Sequence, residues 1–308
     1  MIFGNVYLRP KEARIMEMDY VFITDSDSDL PYHLKEQYDI PVVYMPYALN
    51  GKEYFDDLGQ TLDHKSYYDA MRNGANPVTS ALNEEAYLEY FEPVLQKGKD
   101  VLFVAFSSKL SCTLQAAATA REKLLKKYPD RKITIVDTLR ISGPMALLVL
   151  KAHEMYRAGK PMEEVATWLE ANKLRSQAIF TVDDLKYLKR GGRISGAAAA
   201  VGTMLDLKPV IVEASDGTLQ AGDKIRGRKK ALAYIVDAMM QAEPDPAESP
   251  ILIIHADAPE DAERVKANIE SRLPGANILI EPIGPVIGAH AGPGTVALCF
   301  LGKAAPNP

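Results

Sequence analysis

The 308-residue sequence predicts a two-domain α/β protein, an N-terminal layer with a mainly parallel sheet followed by a C-terminal domain with a mixed or mostly antiparallel sheet. Three observations predict it. Through the first half, short apolar runs alternate with segments of helical periodicity, the pattern of strand–helix–strand units. The run Val101 to Phe106 is apolar throughout, as a strand covered on both faces must be. In the second half, two strand-like runs flank Ser215-Asp216-Gly217, which signals a hairpin and not a crossover.

The elements follow in order. Met1 to Met18 mixes Arg9, Lys11 and Arg14 with Glu12 and Glu17, lacks a signal-peptide pattern, and reads as a flexible extension. Tyr20 to Thr24 is a strand that runs through a polar turn, Asp25 to Asp29, into a helix marked by Leu30, Leu34 and Tyr38. Ile40 to Tyr47 reads as the next strand and Asn50-Gly51 as a tight turn. Leu88, Phe91 and Leu95 mark a helix capped by Asn83, with Pro93 bending it. After Val101 to Phe106 come a helix (Leu114 to Tyr128), a strand (Ile133 to Val136) and a helix opened by Pro144. Pro161 to Lys173 is a further helix, which places the boundary between domains 19–172 and 173–308. Beyond it, Ala178 to Val182 is a strand and Asp183 to Lys189 a short helix ended by Gly191-Gly192. Pro209 to Glu213 and Thr218 to Ile225 form the hairpin, and helix 229–241 follows. Strand, helix and strand then lead to a final strand, Val296 to Leu301.

Composition narrows the function. An apolar fraction of 47% with 25% charged residues is that of a soluble globular protein. A net charge of -5 argues against bulk electrostatic binding to nucleic acid or anionic membrane. No apolar run approaches the ~20 residues that cross a bilayer. Cys112 and Cys299 are far apart, so neither a disulfide framework nor a zinc site is expected, and the compartment expected is the cytoplasm.

Several groups of residues are candidates for chemistry. The turn Asp25 to Asp29 has the Asp-x-Asp of a phosphotransferase nucleophile beside a metal, but also the composition of a helix N-terminal cap, the plainer reading. Thr79-Ser80 and Ser107-Ser108-Lys-Leu-Ser111 each precede a helix, the second directly after the apolar strand. Beyond the carboxyl ends of parallel strands, hydroxyls and free helix N–H groups together suit an anion. Each cluster alone is equally a cap. Gly191-Gly192 permits a left-handed helix end and throws Arg193 outward, toward solvent or a partner. Lys224, Arg226, Arg228, Lys229 and Lys230 gather where a helix begins, a solvated face or a contact for an acidic partner. His290 stands in a glycine-dense loop, Gly284 to Gly294, where it is either a bystander or a ligand to a carboxylate.

Taken together, these segments resemble the DegV family of fatty-acid-binding proteins, which includes the acyl-binding subunit of bacterial fatty acid kinase. The resemblance runs from Thr24 to about Leu301. It is carried by Thr24-Asp25-Ser26, Val78-Thr79-Ser80, Ser107-Ser108-Lys-Leu-Ser111, Tyr187-Leu-Lys-Arg-Gly-Gly-Arg193-Ile-Ser195, Lys208-Pro209, Gly217-Thr-Leu, Lys224-Ile-Arg-Gly-Arg228 and Ile287-Gly-Ala-His290-Ala-Gly-Pro-Gly294. It implies one long-chain fatty acid held between two α/β domains, its carboxylate on Thr79, Ser80, Ser107, Ser108 and His290. Arg193 would lie at the pocket mouth, where an ATP-dependent kinase subunit takes the presented carboxylate to acyl phosphate. No cofactor, metal or catalysis by this chain is implied. Cys112, Leu114, Ala81, Leu82 and Asp27 depart from the family pattern, which bears on pocket shape. The rival readings are enzymes, a hydrolase using Ser108 with His290 or a phosphotransferase using Asp25 and Asp27. A nucleotide-binding module is a third, without a phosphate loop to support it.

Overall fold

Tyr20–Asp25 (β1) is buried almost throughout because its aromatic and β-branched side chains are covered on both faces. In a computed structural model, which describes residues 18–194 and 206–305, it pairs in parallel with Val42–Val43 (β2) and Asp100–Ala105 (β6). Apart from Met18, the expected N-terminal extension lies outside the described residues, as does Ser195. Ile133–Asp137 (β7) extends the layer to the order β2-β1-β6-β7, all parallel, as expected. Parallel neighbours require crossovers; among the helices of this half, Tyr32–Tyr38 (α1), His64–Arg72 (α2), Glu84–Gln96 (α3), Thr113–Lys127 (α4) and Met162–Asn172 (α6), the α3 and α4 helices cover the sheet. The α3 helix starts where Asn83 accepts the N–H of Ala86 at 3.0 Å, and buries Tyr87, Phe91 and Leu95 on one face.

The second sheet has the order β10-β9-β8-β13-β11-β12. Its strands are Ser176–Thr181 (β8), Leu207–Glu213 (β9), Leu219–Arg226 (β10), Ile251–His255 (β11), Ile278–Pro282 (β12) and Val296–Leu301 (β13). Only β11 and β12 are parallel, joined through Pro259–Arg272 (α9), so the sheet is mixed and mostly antiparallel. Arg228–Gln241 (α8) packs across it. Within the basic segment, Arg228 is taken up internally, by Asp261 at 2.7 Å and the Gly294 carbonyl at 2.5 Å.

Two expectations need correction. The strand anticipated over Ile40 to Tyr47 is two pieces in different sheets, because the Met45 N–H turns aside to the Ser26 hydroxyl at 3.0 Å. The second piece, Pro46–Leu49 (β3), forms a small antiparallel sheet with Lys52–Phe55 (β4) and Val78–Thr79 (β5). Its turn at Asn50 and Gly51 has φ 52° and 78°, the left-handed pair a two-residue hairpin demands. Nor is the segment around His290 a loop. Pro285–Ala291 (α10) is helical, with Pro285 in its first turn.

Ser142–Arg157 (α5) joins the two halves. Its residues from Ser142 to Leu150 are all buried, and it packs against both β1 and the strands β8, β11 and β13. A helix apolar on every side is one enclosed by protein on every side. Just before it, Arg140 is fully buried and donates to the carbonyls of Ser176 at 2.6 Å and Ala214 at 3.0 Å.

The turn Asp25 to Asp29 is a buried polar seam and not a helix cap. Asp25 accepts the N–H of Phe106 at 3.0 Å, and Asp29 accepts that of Gly284 at 2.7 Å together with the Ser142 hydroxyl. Burial pushes the Asp25 and Asp29 carboxyls up to about 7, although these donors pull the other way. A carboxyl raised on folding favours the native state while protonated, fully below its unfolded value near 4, and the benefit is lost as pH rises through 7. Unfolding free energy from urea titration is therefore expected to fall between those limits, by about 1.4 kcal/mol per pH unit for each such carboxyl. Asp29→Asn, which keeps an acceptor and tolerates the left-handed φ, should flatten part of that slope; an unchanged slope would contradict it.

Candidate functional site

Between the two sheets lies a cavity of about 1090 Å³, counted out to its open mouth. Most of its wall is apolar, with Met45, Phe106, Leu110, Ile141, Phe180, Leu188, Ile254 and Val286 drawn from both halves of the chain. A smaller set of polar side chains interrupts it. Those that do are Asp27, Thr79, Ser80, Ser111, Ser142, Thr113, Arg193, His290 and Thr295.

Each is placed by its element. Thr79 ends β5, and its hydroxyl lies 2.9 Å from Nε2 of His290, which the last turn of α10 brings across. Ser80 follows at the exposed rim, its N–H donating to the Pro46 carbonyl at 3.2 Å. Ser111 and Thr113, hydrogen-bonded to each other through their hydroxyls, open α4. Lys186–Arg190 (α7) leads to Gly191, where any Cβ would collide with the His290 ring. Gly192, at φ 69°, then reverses the chain. Contrary to expectation Arg193 is not thrown outward. It is half-buried, with Nε donating to the Leu110 carbonyl at 3.1 Å and Nη1 to that of Gly191. The exposed arginine of this turn is Arg190, stacked over Tyr187.

The structure thus brings Thr79, Ser80, His290 and Arg193 together, but not Ser107 or Ser108. Ser107 is buried and donates to the Gly217 carbonyl at 3.0 Å. Ser108 is exposed and outside the cavity wall, because its N–H is drawn to Asp137 at the end of β7, 3.2 Å away. Ser111, three residues further on in the same loop, lines the cavity where Ser108 was expected to. Its signal was the third hydroxyl of the same Ser-Ser-Lys-Leu-Ser segment. Asp27 was also missed as a lining residue, since its sequence context is that of a cap.

Electrostatically the polar end carries little fixed charge. Burial, then Arg193 and Arg190, lowers His290 to about 4, so its ring is neutral at physiological pH. Its Nδ1 is buried with no partner among the described residues. A second pocket of about 520 Å³ shares Thr79, Arg193 and His290 with the first and adds Asn76 and Arg190. The pairing of Ser108 with His290 that a hydrolase would use is not assembled, since His290 meets Thr79 and Ser108 lies elsewhere. Among the described residues no group of His, Cys, Asp and Glu is arranged to hold a metal, and no helix is long and apolar enough to cross a membrane. An apolar slot ending in neutral donors suits an amphiphile with a long chain and a small anionic head.

The family model described as "Uncharacterised protein, DegV family" matches residues 20–303. The chain belongs to the DegV family. A DegV domain-containing protein of Clostridium perfringens is 41% identical over 283 residues, 92% of this chain and 97% of that one. A DegV family protein from Thermus thermophilus, whose structure is described as fatty acid binding, matches with TM-score 0.80 at 32% identity, covering 92% of this chain and 100% of the other. DegV from Bacillus subtilis, described as a fatty acid binding protein, matches with TM-score 0.78 at 28% identity, over 93% and 100% of the two chains. In this DegV protein the Val78-Thr79-Ser80 and Gly288 to Gly294 segments both reach the cavity. Imidazole nitrogen NMR should find His290 neutral down to about pH 4, and Arg193→Gln should raise that value. Titration of His290 near 6.5 in the parent protein would refute the stated burial.

Proposed function

We propose that this DegV protein binds one long-chain fatty acid between its two lobes, divided near residues 172 and 173, with the tail in the apolar slot. The carboxylate rests on Thr79, Ser80, Ser111 and His290. The observation that carries this reading is the Thr79–His290 pair at the polar end of an otherwise apolar cavity. The fatty-acid-binding neighbours of the same fold support it. A tail of ~14 methylenes at ~0.8 kcal/mol each gives roughly 11 kcal/mol of gross burial, and association and ordering costs bring that down to a reversible complex. An anion there needs several donors, and hydroxyls supply them without a buried lysine.

We further propose that the bound carboxylate is presented, in the cytoplasm, to an ATP-dependent kinase subunit that forms the acyl phosphate. The pocket beyond Thr79 and His290, with Arg190 at its outer side, is the approach for that partner.

Native mass spectrometry of protein purified from bacteria is expected to show one acyl chain per monomer; a delipidated sample that takes up no fatty acid would overturn the proposal. Thr79→Val and Ser111→Ala should each weaken fatty-acid binding about tenfold or more, the loss of a hydrogen bond to a charged group. Ser108→Ala should leave it within about twofold, as its hydroxyl stands outside the wall. Arg190→Glu should spare lipid binding and lower phosphorylation of bound fatty acid by the kinase subunit. Equal loss of both would remove Arg190 from the docking face.

A further inference from the structure

Asp27 lines the cavity, is 4% exposed, and has an Oδ1 with no hydrogen-bond partner among the described residues. It belongs to a group of four buried carboxyls with Asp25, Asp29 and Asp56. The other three each accept from a donor, although Asp25 Oδ1 and Asp56 Oδ2 are likewise without a partner among the described residues. Asp25 accepts from Phe106, Asp29 from Gly284 and Ser142, and Asp56 from the N–H of Leu58 at 3.2 Å. Of the four, Asp27 alone is part of the cavity wall.

Its electrostatic surroundings come from every side of the seam. Asp25 and Asp29 on its own turn and Asp56 after β4 repel a charge on it, while Arg193 after α7 favours one. Tyr87 of α3 also faces it, with a buried hydroxyl that has no partner among the described residues. Burial is the largest influence, and with three neighbouring carboxyls it outweighs the single guanidinium. A carboxyl kept neutral in this way is a hydrogen-bond donor as well as an acceptor.

We propose that Asp27, in its protonated form, donates a hydrogen bond to the carboxylate of the bound fatty acid, so that the two acids share one proton. No bond other than the hydrogen bond forms, and the proton stays between the two oxygens. This inference rests on the fatty-acid reading and makes Asp27 a fifth contact to the head, one selective for a group able to share a proton. An ionised Asp27 would repel the same head, which sets an upper pH limit to binding.

Infrared difference spectroscopy with palmitic acid labelled with carbon-13 at its carboxyl tests the idea. At neutral pH the loaded protein should show a protonated-carboxyl band that the label does not move, that shifts on loading, and that Asp27→Asn removes. In titrations with palmitic acid, Asp27→Ala should weaken binding about tenfold. Asp27→Asn, which retains an N–H donor, should lose less than about threefold. A band that survives Asp27→Asn, a band indifferent to loading, or equal losses in the two variants would overturn the inference. Should a variant fail to fold, Asp27→Ser provides the same comparison with a hydroxyl donor. Absence of palmitic acid binding by the parent protein would instead overturn the fatty-acid reading itself.

Discussion

The structure depends on one buried carboxyl, that of Asp29, which has to find its donors inside the protein. A carboxyl taken out of water is costly unless hydrogen bonds meet it. Asp29, held at φ 49°, satisfies this with the Gly284 N–H and the Ser142 hydroxyl, which lie at the starts of α10 and α5. One residue of the N-terminal half thereby fixes the origin of two helices that border the cavity. The α10 helix is only seven residues long, so its far end is as well determined as its beginning, and that far end holds His290. Tyr67 and Tyr68, donating to the carbonyls of Pro285 at 2.7 Å and Ile283 at 2.8 Å, hold the same segment from a second direction.

A seam made of directional bonds has a different consequence from one made of apolar packing. Side chains that meet to exclude water fill the space between two layers, whereas hydrogen bonds at the rim fix a separation. Here the bonds of Asp29, Arg140, Tyr67 and Tyr68 tie the two halves of the chain together, while Phe106, Phe180, Ile254 and Val286 line the slot. The α5 helix, buried from Ser142 to Leu150, packs against strands of both sheets. The lobes are thus joined both by these hydrogen bonds and by the apolar packing of α5, and the apolar wall of the slot is left to a ligand.

What the sequence disclosed follows from the range of the interactions involved. The parallel layer was legible because Val101 to Phe106 has no polar face, and the α3 start because Asn83 and Ala86 are three residues apart. The hairpin was legible from Ser215-Asp216-Gly217 alone. The role of Asp25 to Asp29 was not, since its partners at Phe106, Ser142 and Gly284 are 81, 113 and 255 residues away. Locally the turn is indistinguishable from a cap. Helix α10 was hidden by its glycines, which suggest a loop although Gly288 sits against Tyr68 and Gly292 against Tyr187, close approaches that leave no room for a Cβ. Thr79 and His290 were legible as candidates through their family context, but the choice of Ser111 over Ser108 turned on which way one loop is pulled by Asp137.

The polar end also explains itself as a device for holding and releasing. A buried lysine or arginine aimed at the head would bind an anion strongly, and an unpaired buried cation would then destabilise the empty protein. In this chain Arg193 is already engaged by the carbonyls of Leu110 and Gly191, and His290 is neutral. The groups left to meet a head are hydroxyls, an imidazole and the Asp27 carboxyl, and in the empty protein Thr79 bonds His290 and Ser111 bonds Thr113. Exchange between these two sets of bonds costs little, so on the proposed reading the affinity would reside in the tail.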